Sequence, residues 1–262
     1  MNRTGTGAGA GARSGGGLLF DRPEIRDAIE AGELAAWKEK RYSQFRETMR
    51  ESRYPCYFAV NAEENDTARY LFVGDFRDRD AFFKLREGLR QYLERYRSIA
   101  DRTTLVVFFE PPDEERSERE YREGFWRILE FLNERDPEPW PDDVPTDPSD
   151  PEWEFCFAGE SMFVVGRAPF YTDRKSRYTP HGLEMTIQPR SVLDDVGGEA
   201  VNGQRARSAI RDRLDDYDDV DLHPDIGDYA DPDSREWKQY FLPKSGGESI
   251  DEFPFEITTE RS

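Results

Sequence analysis

Seven consecutive residues, Thr103 to Phe109 (TTLVVFF), are β-branched, leucine or aromatic without a charge, and Pro111-Pro112 follows almost at once. A run of this length and composition suits a pleated surface buried on both sides, and proline, lacking a backbone donor, ends it. The run predicts a central strand, and the remainder of the chain must supply its neighbours and its cover.

Candidate neighbours are short. Tyr57 to Ala62 and Arg69 to Gly74 (RYLFVG) read as strands separated by the polar Glu63, Glu64, Asn65 and Asp66, hence as a hairpin. Trp153 to Phe157 and Met162 to Val165 form a second hairpin around Gly159-Glu160, and Leu183 to Gln188 gives a further strand. Helical spacing supplies the cover. Pro23 suits a helix start, after which Leu34, Trp37, Phe45 and Met49, with Tyr42 beside them, recur at helical spacing. Phe82, Leu85, Leu89, Tyr92 and Tyr96 line a second helix, and Tyr121, Phe125, Ile128, Leu129 and Leu132 a third. Ala206, Ile210, Leu214 and Tyr217 line a fourth. The order predicts one α+β domain: a largely antiparallel sheet of about six strands with helices packed on it. Residues 1–20, rich in glycine and alanine, read as a flexible tail, 21–243 as the domain and 244–262 as a C-terminal tail. Asp136 to Pro151, rich in proline and aspartate, reads as a rigid surface connection.

The net charge is -19. A phosphate backbone or anionic membrane would be repelled by most of such a surface, so nucleic acid and membrane partners are not expected. Lysine occurs only at Lys38, Lys40, Lys84, Lys175, Lys238 and Lys244. An acid-rich, lysine-poor, aromatic chain fits a halophilic protein kept soluble where salt screens its self-repulsion. Cys56 and Cys156 are too few for a disulfide framework and read as small buried hydrophobes in a reducing interior. With no signal-peptide core and no long apolar stretch, the expected location is the cytoplasm.

Against this acidic background Arg174, Lys175, Ser176 and Arg177 form a basic island, and residues 174–193 hold one acid, Glu184. The spacer Tyr178-Thr179-Pro180 separates the island from His181, one of two histidines. Guanidinium forks bind carboxylate or phosphate and imidazole can ligate a metal, so the island and His181 are candidates for a site that takes an anionic small molecule or cofactor. The bland reading is that folding brings acids to the island. His223, in an acidic loop before Pro224, reads as a hydrogen-bonded structural histidine, and EWKQYFL (Glu236 to Leu242) as an aromatic anchor for the C-terminal arm. No phosphate-binding glycine loop, His-x-x-x-His pair or nucleophile elbow is present. Gly197-Gly198 reads as a turn, and the pairs Asp194-Asp195 and Asp215-Asp216 as solvated acids.

Tyr54-Pro55-Cys56, RYLFVGD (Arg69 to Asp75), LVVFF, Trp140-Pro141, Pro145 to Pro148, WEFCFAGE (Trp153 to Glu160), RKSR, Gln188-Pro189-Arg190, His223-Pro224-Asp225 and EWKQYFL, in this order, resemble the YqcI/YcgG family. Some relatives in that family are haem-dependent enzymes that N-hydroxylate guanidino groups. The resemblance therefore implies a haem-binding, oxygenase-like enzyme (a monooxygenase, an oxidoreductase) with a small guanidino substrate and an electron donor. The alternative is a non-catalytic domain that binds haem or another anion, or one without a working site. Gly166-Arg167-Ala168-Pro169 stands where the haem-enzyme branch carries Leu-His-Pro, so that histidine is absent here. The resemblance then leaves His181 as metal ligand, followed by Tyr171 or Tyr178 as phenolate or a motif cysteine as thiolate, with Arg174, Lys175 and Arg177 for the propionates.

Overall fold

The computed structural model describes residues 17–193, 201–244 and 249–259. In chain order its elements are β1 (Leu19–Phe20), α1 (Arg22–Glu30), α2 (Ala36–Met49), α3 (Tyr57–Glu64), β2 (Ala68–Val73), α4 (Arg79–Leu93), α5 (Tyr96–Ile99), β3 (Thr104–Phe109), α6 (Glu118–Glu134), β4 (Phe155–Phe157), β5 (Glu160–Arg167), β6 (Glu184–Pro189) and α7 (Val201–Tyr217). The TTLVVFF run is β3, buried at every position and internal to a sheet of order β1-β2-β3-β6-β5-β4. Among the described strands of the sheet only β2 and β3 pair in parallel, and the helices α4 and α5 between them supply the crossover such a pair needs. All other pairs are antiparallel, so the expected α+β domain with a largely antiparallel sheet is what forms. No helix among the described residues is long and apolar enough to cross a membrane.

Two local expectations fail. Tyr57 to Ala62 is helical, not a strand. Along α3 Phe58, Ala59, Ala62 and Glu63 are buried while Tyr57 stays exposed, a three-to-four-residue rhythm too short to tell from a strand by pattern alone. The place beside β2 that the first hairpin would have filled is taken by Leu19–Phe20, paired antiparallel with Leu71 and Tyr70. The segment read as one helix from Pro23 to Met49 is two. Asp21 caps α1 in a capping box with Glu24, and Gly32, at φ 68°, lies in the break before α2.

The expected N-terminal tail lies outside the described residues through residue 16, and Leu19–Phe20 belong to the sheet. Near the other end Ile250, Phe253, Phe255 and Ile257 pack against the main core, and the Thr258 backbone N–H donates to Asn133 on α6 at 2.8 Å. EWKQYFL anchors its arm as expected, with Trp237, Tyr240, Phe241 and Leu242 buried.

Strand alternation divides the side chains between two faces. On one, Leu71, Val73, Leu105, Val107, Phe109, Met162, Val164, Met185 and Ile187 meet α4 and α6 in the main core. Here β5 contributes Gly166, where a Cβ would collide with Phe241 and Phe125, so the close approach requires glycine. On the other face the β2–β3 half is closed by α2 and α3 through a second aromatic cluster around Tyr70, Phe72, Val106 and Phe108. The β5–β6 half of that face is not filled.

Candidate functional site

A cavity of about 250 Å³ lies over the β5–β6 half. Its floor is Phe163, Val165 and Arg167 of β5 with Thr186 and Gln188 of β6, residues that share one face because Phe163 pairs with Gln188 and Val165 with Thr186. Tyr54 to Cys56 with the start of α3 form one wall, Ile210 and Leu214 of α7 another, and Ile226 to Tyr229 a third. Arg177, Arg190, Glu236 and Gln239 add polar groups to this apolar lining. Such a chamber, with few polar groups among apolar walls, has the make-up of a small-molecule site.

The two ends differ in charge. At the β5 C-terminal end Arg167 donates to Glu184 at 2.6 Å and to the Tyr178 carbonyl at 2.7 Å. Arg41, from α2, reaches the other oxygen of the same carboxylate at 3.8 Å and donates to Leu183 O and Thr179 Oγ1. All three side chains are buried. One carboxylate cannot serve two guanidiniums equally. Burial opposes both charges, but Glu184 outweighs it for Arg167, whose pKa is raised. Arg41, left with the longer contact, is lowered to about 10, first by burial and then by Arg167 against the pull of Glu184. Arg177 stands on the same end of the wall, 8% exposed, with its Nη1 lacking a hydrogen-bond partner. Burial lowers its pKa, the neighbouring tyrosines only partly opposing it. This end carries cations in excess and fits an anion.

At the far end the signs reverse. Arg190 lies 3.1 Å from Glu154 and 3.4 Å from Glu236, and its guanidinium stacks on Tyr229 at 3.6 Å. Both acids are buried, and each keeps a carboxyl oxygen without an aligned hydrogen bond. Burial, then the facing Glu154, holds the Glu236 carboxyl well above the usual carboxylate range, Arg190 opposing. At the rim Arg211 and Asp228 pair at 2.5 Å.

Cys56 lines the cavity from the N-terminus of α3, half-buried. Burial pushes its thiol up, while the backbone N–H groups of Ala59 and Phe58 and the Arg177 and Arg167 guanidiniums favour the thiolate. Cys156 is buried within β4, where burial and then Glu154 raise its thiol strongly. Both cysteines are free.

The basic island is split by the fold. Arg174 is buried against Asp218 at 3.7 Å, Ser176 donates to both oxygens of the same Asp218, and exposed Lys175 pairs with Asp219 at 2.6 Å. Folding thus brings the C-terminal end of α7 and the residues after it to the island, and of the three cations Arg177 reaches the β5–β6 cavity. Tyr171 is buried with its hydroxyl donating to Leu242 O at 2.5 Å. Tyr178 and Lys175 line a second, more polar cavity of about 270 Å³ beside α2, with Arg167 on the boundary of both. His181 lines neither cavity; burial and then Lys40 and Arg41 lower its pKa. His223 is buried, its Nδ1 accepting the Asp225 backbone N–H at 3.2 Å, as its reading predicts. Gly197-Gly198 and Asp194-Asp195 lie outside the described residues. Among the described residues no three His, Cys, Asp or Glu side chains are grouped to hold a metal ion. Sequence reading missed Glu236, Glu154 and Arg190 as site residues: each stands inside a stretch that carries the family resemblance, but they meet only in the fold. Cys56, in Tyr54-Pro55-Cys56, reads as core from composition, and the resemblance adds a motif cysteine only as the last of its candidate ligands.

The YqcI/YcgG family model matches residues 45–256, which carry every wall of this cavity. The chain belongs to the YqcI/YcgG family. It is 36% identical to "Uncharacterized protein YcgG" of Bacillus subtilis (strain 168), over 85% of this chain and 89% of that protein. To "Uncharacterized protein YqcI" of the same organism it is 34% identical, over 90% and 94%. A third relative, "Putative N(omega)-hydroxy-L-arginine synthase DcsA" of Streptomyces lavendulae, is 28% identical over 90% of this chain and 89% of its own. No solved structure matches.

Proposed function

We propose that the β5–β6 cavity is the site of a haem-dependent oxygenase that N-hydroxylates a guanidino or amino group of a small molecule. The observation that carries this reading is the position of Cys56. It brings a soft donor, next to backbone N–H groups and two guanidiniums, into the apolar chamber, and thiolate is a known axial ligand of oxygen-activating haem. The rest of the lining suits the same group. Phe58, Phe163, Val165, Ile210 and Leu214 offer apolar walls, and Arg177 and Arg167 cations for propionates. Cys56 thus replaces His181 as the proposed ligand, and Arg177 and Arg167 take the place of the whole island. Similarity to a relative whose name includes an N-hydroxy-arginine synthase supports the substrate class.

A bound haem would supply oxygen activation, one oxygen atom passing to substrate nitrogen and the other leaving as water with two protons and two electrons from an external donor. The chain's own residues would offset part of the burial that disfavours the Cys56 thiolate, pair carboxylates at Arg177 and Arg167, and limit water through the apolar walls.

Haem titration of the purified full chain tests the reading. Uptake with a spectrum of thiolate ligation is expected, and Cys56→Ser should change the ligand-field spectrum and loosen retention. Arg177→Ala should loosen retention with the spectrum kept, and His181→Ala should leave both unchanged. A wild-type chain that takes up no haem, or a Cys56→Ser spectrum identical to wild type, overturns it. Turnover with reductant, oxygen and guanidino compounds separates an enzyme from a carrier.

A further inference from the structure

The acidic end of the cavity has a structural oddity that haem anchoring leaves unused. Glu236 and Glu154 come from distant parts of the chain and are 5% and 1% exposed, yet they share one counter-ion, Arg190. Two buried carboxylates beside one guanidinium leave one negative charge without a partner if both are ionised, and burying such a charge is costly. Oε1 of Glu236 and Oε1 of Glu154 each lack a donor, as two facing carboxylates must until one takes a proton and donates to the other, and Glu236 lines the chamber where Glu154 does not. The titratable groups that face this pair are Tyr229, Tyr240 and Cys156, and among the described residues Arg190 is the cation in ion-pair contact with it.

We propose that Glu236, backed by Glu154, is a cation subsite that holds a proton while empty and exchanges it for the ammonium or guanidinium of a bound ligand. Charge balance favours the exchange. With one proton, the cluster of Glu236, Glu154 and Arg190 is neutral; with both acids ionised and a cationic ligand in place, it is neutral again. The raised pKa of Glu236 is the same physics seen in the free protein. The floor connects the subsite to the cationic end. From Glu184 to Gln188 the strand rises about 3.3 Å per residue, about 13 Å in all. In the haem-free chain, where no propionate occupies Arg177 and Arg167, a ligand carrying an anion at one end and a cation at the other, with an apolar stem of several carbons between, would match both ends. The inference rests on the reading that this cavity is the ligand site, and not on haem.

The probes are propylguanidinium, butanoate and 4-guanidinobutanoate, with calorimetry on the full chain at neutral pH in buffers of differing ionisation enthalpy. Propylguanidinium should bind with release of close to one proton per ligand. The isotope-edited infrared C=O band of a protonated glutamate, present in the free protein, should fall as it binds. Glu236→Gln, close in shape to the protonated acid, should fold, abolish the proton release and weaken propylguanidinium by about tenfold or more. It should still take up haem as wild type does. Glu154→Gln should remove the like charge and cut the proton release. Arg177→Ala should weaken 4-guanidinobutanoate but not propylguanidinium. Wild-type binding without proton release, unchanged binding by Glu236→Gln, or no binding of either cationic probe overturns the subsite. If haem is not taken up while the cation binds with proton release, the haem reading falls and the subsite stands.

Discussion

One face of the sheet is used in two ways. Over β2 and β3, Tyr70, Phe72 and Phe108 stack and meet Phe45 and Tyr42 edge-on, and α2 and α3 close over them. Over β5 and β6 the equivalent positions hold Phe163, Val165, Arg167, Thr186 and Gln188, and the space above them stays open. The backbone is alike in both halves. Large rings fill volume and need no partners, whereas a half paved with Arg, Thr and Gln must find hydrogen bonds, which a helix face pressed against it would deny. The open half can exist because the closed half and the core on the opposite face hold the sheet.

The contrast is broken most strongly at Phe108. Phe108→Ala should cost about 3–5 kcal/mol by denaturant unfolding, since a fully buried ring in contact with three others leaves a cavity. Val165→Ala, on the chamber floor, should cost under about 1.5 kcal/mol because the space beside it is already empty. Equal losses would mean that the open half is as closely packed as the other.

A smaller effect follows pH. The folded-state pKa of Glu236 is raised above its ordinary 4.5, so the native chain binds this proton more tightly than the unfolded one. The stability from it is whole below pH 4.5 and is lost as pH rises through the folded pKa. Glu236→Gln removes that loss, so the melting temperature of the variant should gain on wild type as pH rises above 4.5. A constant difference across pH would place Glu236 among ordinary surface acids.

The smallest effect is at the island. Lys175 and Asp219 are 46% and 59% exposed, and Lys175→Ala should shift stability by less than about 0.5 kcal/mol and leave haem titration unchanged. A large change in either would return Lys175 to the site.

Legibility in the sequence followed the length of each pattern. The inward faces of α4 and α6 repeat over several turns, and residues named for them, Leu85, Leu89, Phe125 and Leu132 among others, are buried. The eight residues of α3 repeat too briefly, and Leu19–Phe20 too briefly still, so the edge of the sheet was misread. For the site, Arg177 stood out because its local sequence lacks acids, but the same reasoning promoted Arg174 and Lys175, whose partners Asp218 and Asp219 arrive only through tertiary contact. Glu236 was hidden inside a segment whose aromatic residues gave the stronger signal. Nothing in a linear reading joins it to Glu154 and Arg190.

The two-residue strand Leu19–Phe20 has a bearing on how copies of this chain behave together. It occupies the outer edge of β2, whose sequence ARYLFV is apolar, β-prone and otherwise free to template pairing with another molecule. Two residues are enough to satisfy part of that edge and too few to offer a long edge of their own. A chain shortened through Gly17 keeps this guard, whereas one shortened through Phe20 bares β2 and should aggregate more readily through its sheet edge.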